Sequence, residues 1–321
     1  MSDILLQTSE LVKSFSVKRG FFSQKKLRLV AVDHANVFIR KGETLGLVGE
    51  SGCGKTTFGL TVMRLIEPTG GSVFFDGIDI TKLNSNEMHK IRRQIQMIFQ
   101  DPLASLDPRM TVEEIIREPL DIHQIWTPKE RIEEVFRLLQ ITGMPPDAAM
   151  RYPSDFSGGQ QQRIGIARAL AFRPKMLICD EPVSSLDVSV QAQILNLLRD
   201  LQDQFGLTYL FISHNIAVTT FMSKRIGVMY LGKLVEIGPA REVVNQPRHP
   251  YTTALIQAVP EPDPKLRSTK RPLYGDVPSP IDRPTGCPFH PRCILAQDRC
   301  NIEDPQMREL SPDHLVACHY A

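Results

Sequence analysis

The chain lacks any apolar run near the about 20 residues needed to cross a bilayer, so a membrane role must go through a partner. Its N-terminus, MSDILLQTSE, lacks the basic-then-apolar pattern of a secretion signal, and the expected compartment is the cytosol. It lacks a charge excess. Its 38 Lys and Arg against 36 Asp and Glu leave +2, without the basic stripe of a nucleic-acid binder. It has no internal repeat and no heptad array, which excludes a solenoid or a long coiled coil. Cysteine is sparse, six residues in 321, and a reducing compartment argues against disulfides. Yet four of the six fall in the tail, at Cys287, Cys293, Cys300 and Cys318. The rest is ordinary for a globular chain, with 42% hydrophobic residues and length for one full domain plus an appendage.

The N-terminal part reads as β-rich up to ETLGLVG, Glu43 to Gly49, and a helix is expected from Lys55 to about Leu65. GSVFFDG and IQMIFQD read as short strands. From Pro102 to Ala171 the pattern turns helical, with Thr127 as N-cap before Pro128 in TPKERIEEVFRLLQITG. KMLICDEP and LTYLFISH are apolar runs of the kind buried on both faces of a parallel sheet, with SVQAQILNLLRDLQDQF as the crossover helix. RIGVMYLGKLVEIG reads as a hairpin, and the prolines recurring from Pro260 to Pro284 as an extended linker.

GESGCGKTT, Gly49 to Thr57, fits G-x-x-x-x-G-K-[ST] between a strand and a helix. Gly49, Gly52 and Gly54 let the backbone curl so that the N–H groups of the loop point at phosphate oxygens; Ser51, Cys53 and Thr57 belong to the same loop. Lys55 reaches the β- and γ-phosphates, Thr56 is placed for Mg²⁺, and the helix N-terminus favours the anion. The strand MLIC delivers Asp180, suited to hold Mg²⁺, and Glu181, suited to polarise an attacking water. In DFSGGQQQR, Ser157 is a natural N-cap, and Gly158 and Gly159 bare the backbone of a second helix start. The chain's own phosphates are already wrapped by the first loop, so this second anion site points to another subunit.

From Leu5 to Pro260 the chain resembles the nucleotide-binding subunits of ABC transporters. Gly49–Thr56 matches Walker A, Gln100 the Q-loop, Ser157–Gln160 the signature, Asp180 and Glu181 Walker B with its base, Asp187 the D-loop and His214 the switch histidine. The resemblance implies that Phe15 stacks on adenine and that Gln100 joins Thr56 and Asp180 around Mg²⁺. It implies catalytic roles for Lys55, Gln100, Glu181 and His214. The expected fold is an α/β P-loop ATPase over residues 1–259, with a RecA-like core, an N-terminal antiparallel β subdomain and a helical subdomain over about 102–171. A small Cys-rich extension follows over 260–321. The chain departs from the pattern at Phe156, Gln161 and Asn215, where Leu, a basic residue and Asp are commoner.

GESGCGKTT, QDPLASLDPRMTV, RHPYTTALIQAVP and the cysteine tail resemble, more narrowly, the second ATPase subunit of bacterial oligopeptide/dipeptide importers. That implies ATP and Mg²⁺, a related ATPase subunit as heterodimer partner, two membrane permease subunits that seat coupling helices on the helical segment, and an external peptide-binding protein. The chain would then lie at the cytoplasmic face of the inner membrane. A metal-chelate cargo is the alternative; a non-transport cassette acting on DNA or ribosomes is the rival class. Four tail thiols in a short segment suit a metal staple, either zinc or an iron–sulfur cluster. The gaps are wide for zinc, and the resemblance implies [4Fe–4S], while His290 and His319 keep a mixed-ligand zinc site open. VKRGFFSQKKLR, residues 17–28, carries five cations and two phenylalanines, as a solvated hairpin tip or a lipid-headgroup contact.

Overall fold

The computed structural model describes residues 3–18, 26–258 and 275–321. The tip of the basic hairpin and most of the expected proline-rich linker lie outside them. In chain order the elements are β1 (Ile4–Lys18), β2 (Lys26–Arg40), β3 (Thr44–Val48), α1 (Lys55–Val62), β4 (Gly70–Phe75), β5 (Ile78–Asp79), α2 (Ser85–Arg92) and β6 (Ile95–Ile98). Next come α3 (Pro102–Ser105), α4 (Val112–Ile122), α5 (Pro128–Ile141), α6 (Gly158–Leu170), β7 (Met176–Asp180), α7 (Val188–Phe205) and β8 (Thr208–Ser213). The chain ends with α8 (Ile216–Met222), β9 (Arg225–Tyr230), β10 (Lys233–Pro239), α9 (Ala240–Asn245), α10 (Pro250–Gln257), α11 (Asp298–Ile302), β11 (Arg308–Ser311) and β12 (His314–Val316). No helix among the described residues is long and apolar enough to cross a membrane. Two compact units result, one of residues 1–40, 44–82 and 211–321, the other of 41–43 and 83–210.

The first unit carries an antiparallel sheet in the order β2-β1-β4-β5. It also carries the run β11-β12-β10-β9-β3, in which β3 and β9 are parallel and the other pairs antiparallel. RIGVMYLGKLVEIG is the expected hairpin β9–β10. Tail residues Cys287, Phe289 and Cys300 join Val48, Val228, Tyr230 and Tyr251 in one buried cluster. The sequence suggests a small appended fold for the tail. Instead β12 extends the sheet beside β10, where the fully buried Glu236 accepts from His314 Nε2 at 2.8 Å and from the N–H groups of Arg248 and His249. A carboxylate without solvent needs such donors.

In the second unit β6 and β7 are parallel, and every residue of β7 is buried, as its apolar run requires. Capping boxes start α2 (Asn84 with Glu87), α4 (Thr111 with Glu114), α5 (Thr127 with Glu130) and α6 (Ser157 with Gln160). Glu134, on the buried face of α5, is clasped by Arg137 and by Arg173, whose Nη2 donates at 3.0 Å. Burial alone would raise its pKa; the two guanidiniums bring it below the ordinary carboxylate value.

Candidate nucleotide site and cysteine cavity

The phosphate loop sits in the first unit. β3 is buried throughout and hands the chain to the loop, and α1 opens at Lys55. Gly54 must be glycine, because its φ is +107° and a Cβ would lie 2.0 Å from the Ala31 carbonyl oxygen. At Gly49 a Cβ would lie 2.2 Å from the Met229 carbonyl oxygen. The Lys55 side chain is buried, and its Nζ donates to the carbonyls of Gly49 at 2.7 Å and Glu50 at 3.0 Å, with Cys53 Sγ at 3.7 Å. The ammonium is thus curled into the loop that an anion would enter. Ser51, Gly52 and Thr56 are exposed around it, and Thr57 is half-buried. Burial raises the Cys53 thiol, so it stays protonated beside the lysine.

His214, in the same unit, stands exposed just past the end of β8. Asn215 beside it caps α8, its side chain accepting from the N–H groups of Ala217 and Val218. That role needs a side-chain oxygen rather than a charge, and asparagine fills it. Phe15 is 37% exposed on β1 rather than core, with Lys13 Nζ 4.9 Å from its ring centroid.

The second unit holds the other candidates. Asp180 ends β7 and is buried. Glu181 follows the strand with φ +48°, a left-handed conformation uncommon outside glycine. That turn, unseen in the sequence, aims the glutamate, and Ser184 closes it by donating its hydroxyl to the Glu181 carbonyl. Gln100 Nε2 donates to Glu181 Oε2 at 3.2 Å. Ser157 precedes α6, and both its N–H and its hydroxyl donate to Gln160 Oε1. Ser157 and Gly158 are exposed; Gly159 is buried and lets α6 approach Val190, since a Cβ would lie 2.3 Å from Val190 Cγ1. Asp187 occupies the N-cap position of α7. The two departures here are structural. Gln161 donates to the carbonyls of Pro153 and Phe156, and Phe156 packs under the Arg151 guanidinium, 4.5 Å away.

Cys287, Cys293, Cys300 and Cys318 line one narrow cavity of about 40 Å³, with His249, His290 and His319 on the same wall. That space takes no more than a few waters. All four thiols are free. Burial pushes Cys287 up to about 11, helped by the neighbouring Cys300, Cys293 and Cys318, and burial raises Cys293 too. Among the described residues no group of three or more His, Cys, Asp or Glu is arranged to hold a metal ion. His290 Nδ1 pairs with the Cys287 carbonyl and His319 Nε2 with that of Glu303, both at 2.9 Å.

Sequence reasoning missed the partners of Glu50. Arg292 places Nη1 2.7 Å and Nη2 3.0 Å from its two carboxylate oxygens, and the Glu50 N–H donates to Tyr251 Oη at 2.9 Å. No local signal reveals a pair 242 positions apart.

A glycine-rich loop gripping a buried lysine, in a mixed α/β fold, defines a P-loop nucleotide-binding protein. Residues 32–184 match the ABC transporter family, and residues 235–300 the oligopeptide/dipeptide transporter C-terminal region. The oligopeptide transport ATP-binding protein AppF of Bacillus subtilis is 49% identical over 99% of this chain and 97% of its own. A probable peptide ABC transporter ATP-binding protein of Sinorhizobium fredii, y4tS, is 49% identical over 99% and 90%. A putative peptide import ATP-binding protein of Brucella ovis is 50% identical over 92% and 94%. Among solved structures, a dimeric post-hydrolysis state of the ATP-binding cassette MJ0796 with ADP and Pi aligns at TM-score 0.66 and 30% identity, over 74% of this chain and 99% of that one. CbiO1 of Clostridium perfringens, part of the transporter complex cbiONQ, aligns at 0.65 and 26%, over 76% and 92%. The chain belongs to the ATP-binding proteins of ABC transporters, with the C-terminal region of the oligopeptide/dipeptide type, and is an ATPase of that family.

Proposed function

We propose that this chain powers uptake of di- and oligopeptides through a bacterial ABC importer, as one of two related ATPase subunits. The observation that carries it is Lys55, buried and held by loop carbonyls where phosphates would displace it. ATP binds at Gly49–Thr57 with Phe15 against adenine. Thr56, Gln100 and Asp180 hold Mg²⁺. Glu181 polarises the attacking water, and His214 steadies the γ-phosphate. Ser157, Gly158, Gly159 and Gln160 close the nucleotide of the partner subunit, and Asp187 lies at that interface. The dimeric state of the MJ0796 cassette supports the pairing of two ATPase subunits. Residues 1–259 form the ATPase domain, with the helical part over about 102–171 receiving two permease subunits. An external binding protein delivers the peptide, and the chain stays peripheral on the cytoplasmic face.

The reading includes a [4Fe–4S] cluster on Cys287, Cys293, Cys300 and Cys318. The donor set supports it, because four free thiols line one cavity and four thiolates are the usual ligand set of such a cluster; the about 40 Å³ between them must widen to admit it. When bound, it would supply a structural staple for the cysteine tail, and no redox step is asked of it. Two measurements test these claims. The assembled transporter, purified from its host, should hydrolyse ATP faster when peptide-loaded binding protein is added; stimulation by a metal chelate alone rejects the peptide cargo. Anaerobic protein should carry iron and sulfide; stoichiometric zinc, or neither metal, rejects the cluster.

A further inference from the structure

Glu50 is the residue after Gly49 in the phosphate loop, and each of its polar groups is engaged. The carboxylate takes both terminal nitrogens of Arg292, the N–H donates to Tyr251 Oη, and the carbonyl accepts from Lys55 Nζ. Only the last of these belongs to the loop itself. The other two come from residues with no part in nucleotide chemistry.

Arg292 is only 7% exposed. It lies in the turn His290–Arg292, directly before Cys293, with its N–H on the Phe289 carbonyl. Its guanidinium stands 5.9 Å from the centroid of Tyr230. Tyr251 packs on Tyr230 at 4.7 Å and on Phe289 at 5.4 Å between centroids. Phe289 and His249 also line the cysteine cavity. The grip on Glu50 therefore meets the cavity wall at two places: Phe289, which lines the cavity and packs on Tyr251, and the peptide that joins Arg292 to the cavity-lining Cys293.

We propose that Arg292 and Tyr251 are positioning residues for the phosphate loop, and that through them the state of the cysteine cavity sets the affinity for ATP. The physical reasons are two. A bidentate charge-assisted pair fixes direction as well as distance, so it sets where the Glu50 peptide lies. A loop already held in its curled form loses less freedom when it takes an anion. A change that shifts Cys293 shifts its neighbour Arg292, and the carboxylate of Glu50 then loses its bidentate partner. The inference rests on the reading of the loop as the ATP site, and not on which metal the thiols hold.

The test is the Mg·ATP dissociation constant of the full chain, with far-UV circular dichroism to verify folding. Arg292→Gln should weaken binding roughly tenfold, and Arg292→Lys by less, since a lysine keeps the charge and loses the fork. Tyr251→Phe should weaken it by about threefold, the worth of one neutral hydrogen bond. Cys293→Ser should weaken it as well, and Arg292→Gln should add little on top, because both act through one contact. Wild-type affinity in Arg292→Gln overturns the proposal, as does full additivity with Cys293→Ser. If Arg292→Gln fails to fold, unchanged affinity in both Arg292→Lys and Tyr251→Phe overturns it instead. If the wild-type chain binds no Mg·ATP, the reading of the loop falls first and this inference with it.

Discussion

Gln100 and Glu181 are joined by a hydrogen bond, from Nε2 to Oε2 at 3.2 Å. The amide restrains a carboxylate whose backbone already sits in a left-handed turn, so the acid has few ways to point. Glu181→Gln keeps the size and an acceptor for Gln100 while removing the charge. In the assembled transporter it should hold ATP at this site with turnover there about 100-fold lower. Single-turnover hydrolysis at the wild-type rate would end the role.

Ser157 and Gly158 leave the start of α6 bare. If that helix end closes a partner's nucleotide, Ser157→Arg should block closure of the neighbour while this chain still binds ATP. The purified chain alone should also hydrolyse ATP far more slowly than the complex. Equal rates for both would reject the shared site.

Gly159 lets α6 pack against Val190 of α7. Gly159→Ala places a methyl against Val190 Cγ1 and should cost about 1–3 kcal/mol by denaturant unfolding. Combining it with Val190→Ala makes room and should recover most of that loss. A double variant no more stable than Gly159→Ala would show that the clash is not the cause.

Glu134 has a depressed pKa through Arg137 and Arg173. Its contribution is present above the unfolded carboxylate pKa, about 4.3, and is lost as pH falls through the folded value. Glu134→Gln should destabilise the chain by about 2 kcal/mol at pH 7, less than a fully buried pair because Arg173 is largely exposed. The difference from wild type should shrink below pH 4. A difference that persists unchanged to pH 3 would separate the effect from ionisation.

Much of the fold and the form of the glycine-rich loop were legible because they are written in contiguous residues. The glycine spacing of Gly49–Thr56, the apolar runs of β7 and β8 and the cap at Thr127 each encode their geometry locally. The turn at Glu181 was not legible, since its φ answers to the packing around it rather than to a glycine or proline signal. Nor was the placing of the tail. The tail cysteines read as a small fold in need of a staple, but Cys287, Phe289 and Cys300 join a core whose other members include residues of β3, α8, β9, β10, α9 and α10. The pairing of Arg292 with Glu50 is likewise a product of topology, with no period or motif to announce it.

The covering of β10 by β12 has a consequence for synthesis. On the ribosome, β9 and β10 emerge long before the residues of β12 exist. In that interval β10 presents an open edge, and Glu236 waits for the His314 donor it will later bury with. An unpaired edge is a template for pairing with another nascent chain. Chains stopped before residue 308 should therefore accumulate as aggregates rather than as shortened ATPases, and the last strand acts as a seal on translation products that have reached it.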